Sequence, residues 1–344
     1  MANKISLLDA TLRDGGQGLE DLYKNGFTDR YYTEDMKSQI IDSLNNSDIE
    51  IIELGAITPT ASDLSKFAIY QNIEDLSMYL PIIKNPRAMY VGLYIGPDTN
   101  VDLIPECNKS LVDGVRVILR YSELKKSIDY CATLAKKGYK VFVQPMLTMR
   151  YTNEELNYII SASNDMGAYA CYFVDSYGFM QPKDILRLFN YYDNRLNKDI
   201  KIGWHAHNNM NLAYANTLYF LNLETERSLI VDSCAICMGQ GAGNLQTELI
   251  VSWLNKNKGK HYDFDSILNV CDIVDKGFDT ENLWGYSTTR LLPALYNTAY
   301  KYSFMMRKYK GMTYSEINKA LQLMSEELRH RYTFENLESI IKLL

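Results

Sequence analysis

The chain has 344 residues, 47% hydrophobic and 23% charged, enough for two average domains or one large α/β barrel. A net charge of −6 and an isoelectric point near 5.4 argue against a nucleic-acid or anionic-membrane surface as partner. No apolar run approaches the roughly 20 residues of a membrane span. The N-terminus lacks a signal peptide's charged and apolar regions, and Cys234 and Cys237 form a C-x-x-C that no second pair completes as a zinc site. A reduced, cytoplasmic protein is expected.

Residues 5–12 read as a strand that ends in the turn Arg13-Asp14-Gly15-Gly16. Residues 33–44 have helical spacing, with Met36, Ile40, Ile41 and Leu44 apolar and Thr33 placed to cap them. A second strand, 49–54, closes at Gly55, and 64–79 predicts a helix. Strands follow at 88–95 and 115–119, then a helix over 122–137 stopped by Gly138. The alternation continues with a strand at 140–144, a helix at 153–166, a strand at 170–174 and a helix at 182–196 that opens on Pro182. The seventh strand spans 200–204 and the eighth 229–236, before the turn MGQGAGN and a helix at 245–254.

Eight strands alternating with helices over about 255 residues predict a (β/α)8 TIM barrel. Strands that are apolar throughout suit a parallel sheet covered on its outer face. From about Tyr262 onward only helical patterns remain, at 266–278, 289–309, 314–331 and 334–344. The expected division is a catalytic barrel over 1–260 and a helical C-terminal extension over 261–344. The extension is expected mainly to cover the barrel flank or to make a subunit contact, with 284–302 the part able to fold over an active site.

Two of the four histidines, His205 and His207, stand at the end of the seventh strand. Residues i and i+2 of an extended chain point to the same side, so both imidazoles can face one metal ion. A pair of partly buried, hydrogen-bonded histidines would explain the spacing equally well. The other strand ends weigh on the choice. They deliver Arg13 and Asp14, Glu53, Gln144, Asp175-Ser176-Tyr177, Asn208-Asn209 and Asn244 to the same rim, where barrel enzymes carry their catalytic groups. Any one of these could be a helix cap or turn residue. Together, a carboxylate, two imidazoles and an amide suit an octahedral divalent ion with open positions. The glycine turn 239–243 fits close helix–strand packing or a phosphate cradle, and it lacks the Lys-Ser/Thr of a Walker loop.

The segments LLDATLRDGGQ, IIELGA, VDSYGFMQP, HAHNNMNLAYANT and GQGAGNLQTE, in this order, resemble the DRE-TIM metallolyases, the HMGL-like or pyruvate carboxyltransferase-like barrels. Members of that superfamily include 4-hydroxy-2-oxovalerate aldolase, 3-hydroxy-3-methylglutaryl-coenzyme A lyase and isopropylmalate synthase. The resemblance implies that Asp14, His205 and His207 bind the metal, Mn²⁺ or Mg²⁺. It also matches Asn244 to the amide ligand of the coenzyme A lyase branch, Glu53 to the acidic member of the signature, and Arg13 to the residue that stabilises an enolate oxygen. Three departures stand out. Gln17 occupies the place of the aldolases' acid–base histidine, MGQGAGN lacks the lyase's reactive cysteine loop, and Asn208-Asn209 is nearer the aldolase than the synthase pattern.

The expected function is a divalent-metal-dependent aldolase or lyase that cleaves or forms a C–C bond next to a 2-oxo acid, through a metal-stabilised enolate. A Claisen-type acyl-coenzyme A:2-oxo acid acyltransferase is the alternative, and a non-catalytic scaffold or partner subunit the second. Three convergent ligands, which a scaffold has no physical need for, argue against the last. With His205 and His207 on the metal, the proton-transfer group is expected to be metal-activated water with a tyrosine, Tyr177 or Tyr286. Glu53, His261 and His330 are further candidates. The expected partners are a small 2-oxo acid, an aldehyde-processing enzyme and further copies of the chain.

Overall fold

Short strands buried on both faces close on themselves once each has a parallel neighbour on either side. In the computed structural model, which describes residues 5–78, 80, 88–278, 283–329 and 331–343, eight strands do so. They are β1 (Ile5–Asp9), β2 (Ile51–Ile57), β3 (Met89–Tyr94), β4 (Gly114–Leu119), β5 (Lys140–Pro145), β6 (Ala170–Asp175), β7 (Lys201–Ala206) and β8 (Leu229–Ser233). Each pairs in parallel with its chain neighbours. β1 closes the barrel by pairing with β8 in the register Ile5↔Leu229 and with β2 in the register Leu8↔Ile51. The result is the (β/α)8 barrel expected, with helices around it and further helices after it.

Within the barrel, two expected elements come out differently. Residues 64–79, of which Tyr79 lies outside the described residues, do not form one helix. They give a 3-10 turn at Ser65–Phe67, a two-residue strand at Ile69–Tyr70 and a single helical turn at Ile73–Leu76. The cause is pairing. The Ala68 carbonyl accepts the Ala56 N–H at the end of β2, and Ala68 turns to φ +53° to present it. The eighth strand stops at Ser233, because Ile236 and Cys237 adopt φ of +48° and +59° in a tight turn that redirects the chain.

The helix Phe264–Phe278 buries Ile267, Val270 and Val274 in the same apolar core as the barrel strands, a core that continues to Leu283 and Trp284. A second core follows, built from Leu292, Tyr302, Met306, Ile317, Leu321, Leu337 and Ile340. The described residues of 261–344 therefore divide between the two cores. Fully burying each such side chain contributes roughly 1.5–3 kcal/mol, so the second cluster can hold its helices together. The expected helix at 289–309 is interrupted. Thr288–Leu295 ends after Pro293, Asn297 turns at φ +49°, and Lys301–Lys310 starts afresh. Among the described residues, no helix is long and apolar enough to cross a membrane.

Polar contacts seat this second unit on the C-terminal ends of the barrel strands. Arg150, just after β5, donates through Nη2 to the carbonyls of Asn297 (2.9 Å) and Arg329 (3.0 Å). Lys301 Nζ lies 2.5 Å from Asp21 Oδ1, and just ahead of this unit Trp284, still in the barrel core, donates through Nε1 to the Gly239 carbonyl at 2.9 Å. These links bring the turn at 299–301 over the open end of the barrel.

Candidate active site

Only Ala10, Thr11 and Leu12 separate β1 from the first helix, Arg13–Lys24, so Arg13 and Asp14 stand in its first turn at the barrel rim. The helix sits close because of its glycines: a Cβ on Gly18 would lie 2.0 Å from the Gly239 carbonyl oxygen. The glycine turn thus packs against this helix, and Ala242 N–H is taken by Asn209 Oδ1 at 2.8 Å. Of the two readings of the turn, packing is the one these contacts support.

β7 carries His205 within the strand and His207 one residue beyond it. His205 Nδ1 lies 2.9 Å from Asp232 Oδ2, a carboxylate that can only accept, so Nδ1 carries the proton. His207 Nδ1 lies 3.1 Å from the Asp175 carbonyl oxygen and is protonated for the same reason. Both Nε2 atoms are thereby left with lone pairs. His205 Nε2 stands 3.1 Å from Asp14 Oδ2. A lone pair and a carboxylate oxygen at that separation call for a positive charge between them, either a proton or a metal ion. One ligand atom from each of Asp14, His205 and His207 lies within 4.8 Å of the others, and all three residues are buried or nearly so. Asn244 supplies an independent test of fit. Its Nδ2 donates to the Met238 carbonyl (3.1 Å) and Cys234 Sγ (3.3 Å), while its buried Oδ1 has no hydrogen-bond partner among the described residues. Asn244 also bridges His207 through the backbone. An oxygen and nitrogen donor set of this kind fits a hard or borderline divalent ion.

Behind these groups runs a closed ring of buried charges. Arg13 Nη1 lies 3.0 Å from Asp14 Oδ2, and its Nε 2.8 Å from Glu53 Oε2. The same Glu53 oxygen is 2.7 Å from Arg116 Nη1. Arg116 Nη2 pairs with Asp232 Oδ2, which returns the ring to His205 and so to Asp14. Tyr172 completes it: its hydroxyl donates to Asp232 Oδ1 at 3.0 Å, and its ring lies under the Arg116 guanidinium. Gln144, with its amide oxygen turned to Arg116, accepts from Nη2 at 2.7 Å.

The ring fixes the charge states. Burial pushes the Asp14 and Asp232 carboxyls up, but the guanidinium beside each, Arg13 and Arg116, together with His205, holds Asp14 well below and Asp232 below the ordinary carboxylate range. Burial pulls His205 down, yet hydrogen bonds and charge from Asp14 and Asp232 outweigh it and raise its pKa. His207 has no such carboxylate contact, and burial with the neighbouring His205 charge lowers it to about 4. Near neutral pH His207 is therefore a neutral ligand-type imidazole.

A cavity of about 420 Å³ opens above this floor, within the range of small-molecule sites. Arg13, Asp14, His205, His207 and Tyr177 all face it. Glu53 does not; it lies behind Arg13. Gln17 lines the wall and accepts from Arg13 Nη1 at 3.2 Å, which leaves it a positioning contact in place of a titrating group. Asp175 turns its carboxylate to the backbone N–H groups of Phe179 and Met180, and Ser176 Oγ accepts from Leu147 N–H. Asn208 caps the start of the next helix through Ala213 N–H.

The structure does not bring Tyr286 to the cavity. Gly285 turns there at φ +90°, Trp284 takes the buried position, and Tyr286 is 53% exposed. Tyr300 and Tyr332 line the cavity, with Lys301 and Arg331. His261 is exposed, and its neighbours Lys260 and Tyr262 bind Glu50, just before β2, at the opposite end of the barrel. His330 lies outside the described residues. The sequence reading missed Arg116 and Asp232, although each is a lone charge in an apolar strand, GVRVIL and LIVDS, and such a charge is buried only if paired. For Lys301, Arg331 and Tyr332 no comparable signal existed.

Fold and site together define a (β/α)8 barrel with a candidate divalent-metal centre at the C-terminal ends of its strands. The HMGL-like family model matches residues 4–284, and the chain belongs to that family, one of metal-dependent lyases and aldolases. It is 28% identical over 258 residues to the 4-hydroxy-2-oxovalerate aldolase of Carboxydothermus hydrogenoformans, covering 74% of this chain and 72% of the relative. It is 27% identical over 255 residues to the oxaloacetate decarboxylase of Mycobacterium tuberculosis, covering 73% and 70%. Among solved structures, an N-terminal domain from Bacteroides vulgatus superposes with a TM-score of 0.73 at 22% identity, over 92% of this chain and 99% of that one. The hydroxymethylglutaryl-CoA lyase of Pseudomonas aeruginosa does so with a TM-score of 0.61 at 15% identity, over 80% and 92%. These structural likenesses concern the fold.

Proposed function

We propose that the protein is a Mn²⁺- or Mg²⁺-dependent carbon–carbon lyase of the aldolase type, acting on a 2-oxo acid. The observation that supports this reading most is the convergence of Asp14, His205 and His207 beside the fixed guanidinium of Arg13, at the floor of a cavity. Asp14, His205 and His207 would hold the ion, with Asn244 Oδ1 as the further oxygen donor. When bound, the ion supplies Lewis acidity to the oxygens of the 2-oxo acid. The names of the relatives, an aldolase of a hydroxy-oxo acid and a decarboxylase of oxaloacetate, support the same substrate class.

The chain's own residues divide the remaining work. Arg13, held from behind by Glu53, keeps a positive charge where negative charge develops on the keto oxygen as the adjacent carbon loses a proton or a carbon substituent. Arginine stays protonated throughout, which lysine in a buried site would not guarantee. Tyr177 is the proton-bearing group nearest to this role among the residues singled out from sequence. Burial pushes its phenol up to about 12 although Arg150 opposes the shift, so it remains a neutral donor at working pH. Asp232 and Arg116 touch no substrate; they orient His205 and Glu53.

Deuterium exchange tests this function. Pyruvate incubated in D₂O with the Mg²⁺-loaded protein should gain mass at its methyl group, in a reaction that needs both metal and Arg13. Exchange that persists in the metal-free protein would overturn the reading.

A further inference from the structure

The cavity wall is cationic away from the metal floor. Its lining carries three cations, Arg13, Lys301 and Arg331, against one carboxylate, Asp14. Arg13 is committed to Asp14 and Glu53, and Lys301 to Asp21. Arg331 has no carboxylate within ion-pair distance among the described residues, which makes it the uncommitted charge of the wall.

Its position is built. The Arg331 carbonyl accepts hydrogen bonds from the Tyr302 hydroxyl and from Asn336 Nδ2, each at 3.0 Å. Two residues earlier, the Arg329 carbonyl accepts from Arg150 Nη2 of the barrel (3.0 Å) and from the Thr298 hydroxyl (3.2 Å), and the Leu328 carbonyl accepts again from Tyr302 (2.8 Å). Four donor side chains, one of them from the barrel itself, thus hold the backbone around Arg331 at the cavity rim, with the Tyr302 O–H shared between two carbonyls. Tyr300 and Tyr332 line the same wall, and their hydroxyls have no hydrogen-bond partner among the described residues. A cation in a planar fork beside uncommitted phenols matches a terminal oxyanion.

We infer that the cavity takes a 2-oxo acid carrying a second anionic group, with the oxo-acid end at Asp14, His205 and His207 and the distal oxyanion on Arg331. The inference rests on the lyase reading above for which end binds the metal floor, and it names the substrate class within that reading: a dianion in preference to a short monoanionic oxo acid.

The experiment is calorimetric binding to the full Mg²⁺-loaded chain of 2-oxoglutarate and 2-oxobutyrate, repeated with Arg331→Gln and Arg331→Lys. Arg331 is exposed and outside both cores, so the variants should fold. A charge-assisted hydrogen bond predicts that the wild-type protein prefers the dianion by roughly ten- to a hundredfold. That ratio should collapse toward one in Arg331→Gln and recover only in part in Arg331→Lys, which keeps the charge and loses the fork. A third ligand, 2-oxo-4-phosphonobutyrate, identifies the terminal group: Arg331-dependent binding tighter than that of 2-oxoglutarate marks it as phosphate-type. Equal affinity for dianion and monoanion in the wild-type protein, or a preference that survives Arg331→Gln, would overturn the inference. Arg331-dependent selectivity without metal-dependent deuterium exchange into 2-oxoglutarate itself would sustain the anchor while removing the lyase function.

Discussion

Arg116 Nη1 stands 2.7 Å from the same Glu53 oxygen that receives Arg13 Nε at 2.8 Å, so one buried carboxylate oxygen couples a strand inside the barrel to the guanidinium at the active-site floor. Arg116 itself is fully buried. Its other arm reaches Asp232, which orients His205. The positions of Arg13 and His205 are therefore set by one shared group that never meets the cavity.

Replacing Arg116 by Met should leave Glu53 with Arg13 alone and Asp232 with His205 and Tyr172 alone, so that two buried carboxylates lose the cation they share. Breaking a buried pair from one side typically costs about 3–5 kcal/mol, and here two pairs lose the same partner. Urea unfolding of Arg116→Met is expected to show a loss of at least that size. A loss below about 1 kcal/mol would mean that the ring contributes no more than surface ion pairs do.

Asp232→Asn keeps the shape and removes the charge behind His205 Nδ1. Such outer partners of metal-binding histidines are typically worth about 10–100-fold in metal affinity. Titration of the variant with Mn²⁺ should show weakening in that range, with stoichiometry unchanged. Unaltered affinity would separate Asp232 from the metal centre.

Arg13→Lys retains a cation and loses the fork that reaches Glu53, Asp14 and Gln17 together. Removing one well-placed donor to developing charge costs about 2.7–4 kcal/mol in the transition state, a fall of about 10²–10³ in turnover. Metal content should remain normal. Near-normal turnover would reduce the guanidinium to a structural role.

Asp9 gives a pH dependence away from the metal. It accepts the Thr11 N–H (2.9 Å) and the Thr247 hydroxyl (2.8 Å) and has no cation against it among the described residues. Burial raises its pKa from 3.8 to about 6, against the opposing hydrogen bonds from Thr11 and Thr247. Between those two values the folded chain holds a proton that the unfolded chain has lost, so this group makes stability fall as pH rises through the window and level off above it. Asp9→Asn keeps an acceptor for Thr247 and should remove that slope. Relative to wild type the variant should gain on the order of 3 kcal/mol between pH 4 and pH 7, at about 1.4 kcal/mol per pKa unit. Identical pH profiles from chemical denaturation would count against a raised Asp9.

His205→Ala with His207→Ala should abolish stoichiometric Mn²⁺ binding after dialysis, because Asp14 then remains as the single ligand of the convergent three. Retained one-to-one binding would place the ion elsewhere.

Strand periodicity, glycine stops and the i, i+2 histidines were legible in the linear chain because each is a local property. Apolar runs of strand length in regular alternation with helices have one common closed solution, and it puts Asp14, His205 and His207 on a single rim. Local patterns say nothing of which buried charges meet. Glu53, Arg116 and Asp232 lie 63 and 116 residues apart along the chain, and barrel closure alone makes them a ring. Residues 64–79 failed as a helix for a related reason: the edge of β2 offered hydrogen bonds that outweighed local propensity. The cavity wall lies furthest from the sequence. Lys301 opens a helix, Tyr300 stands in the turn before it, and Arg331 and Tyr332 lie in a connection between helices, none of them in a motif. Tyr286, a neighbour in the same region, is exposed. Contacts from Arg150, Asp21 and Gly239 decide which face of that unit turns toward the barrel, and contacts between distant elements exist only once both have folded.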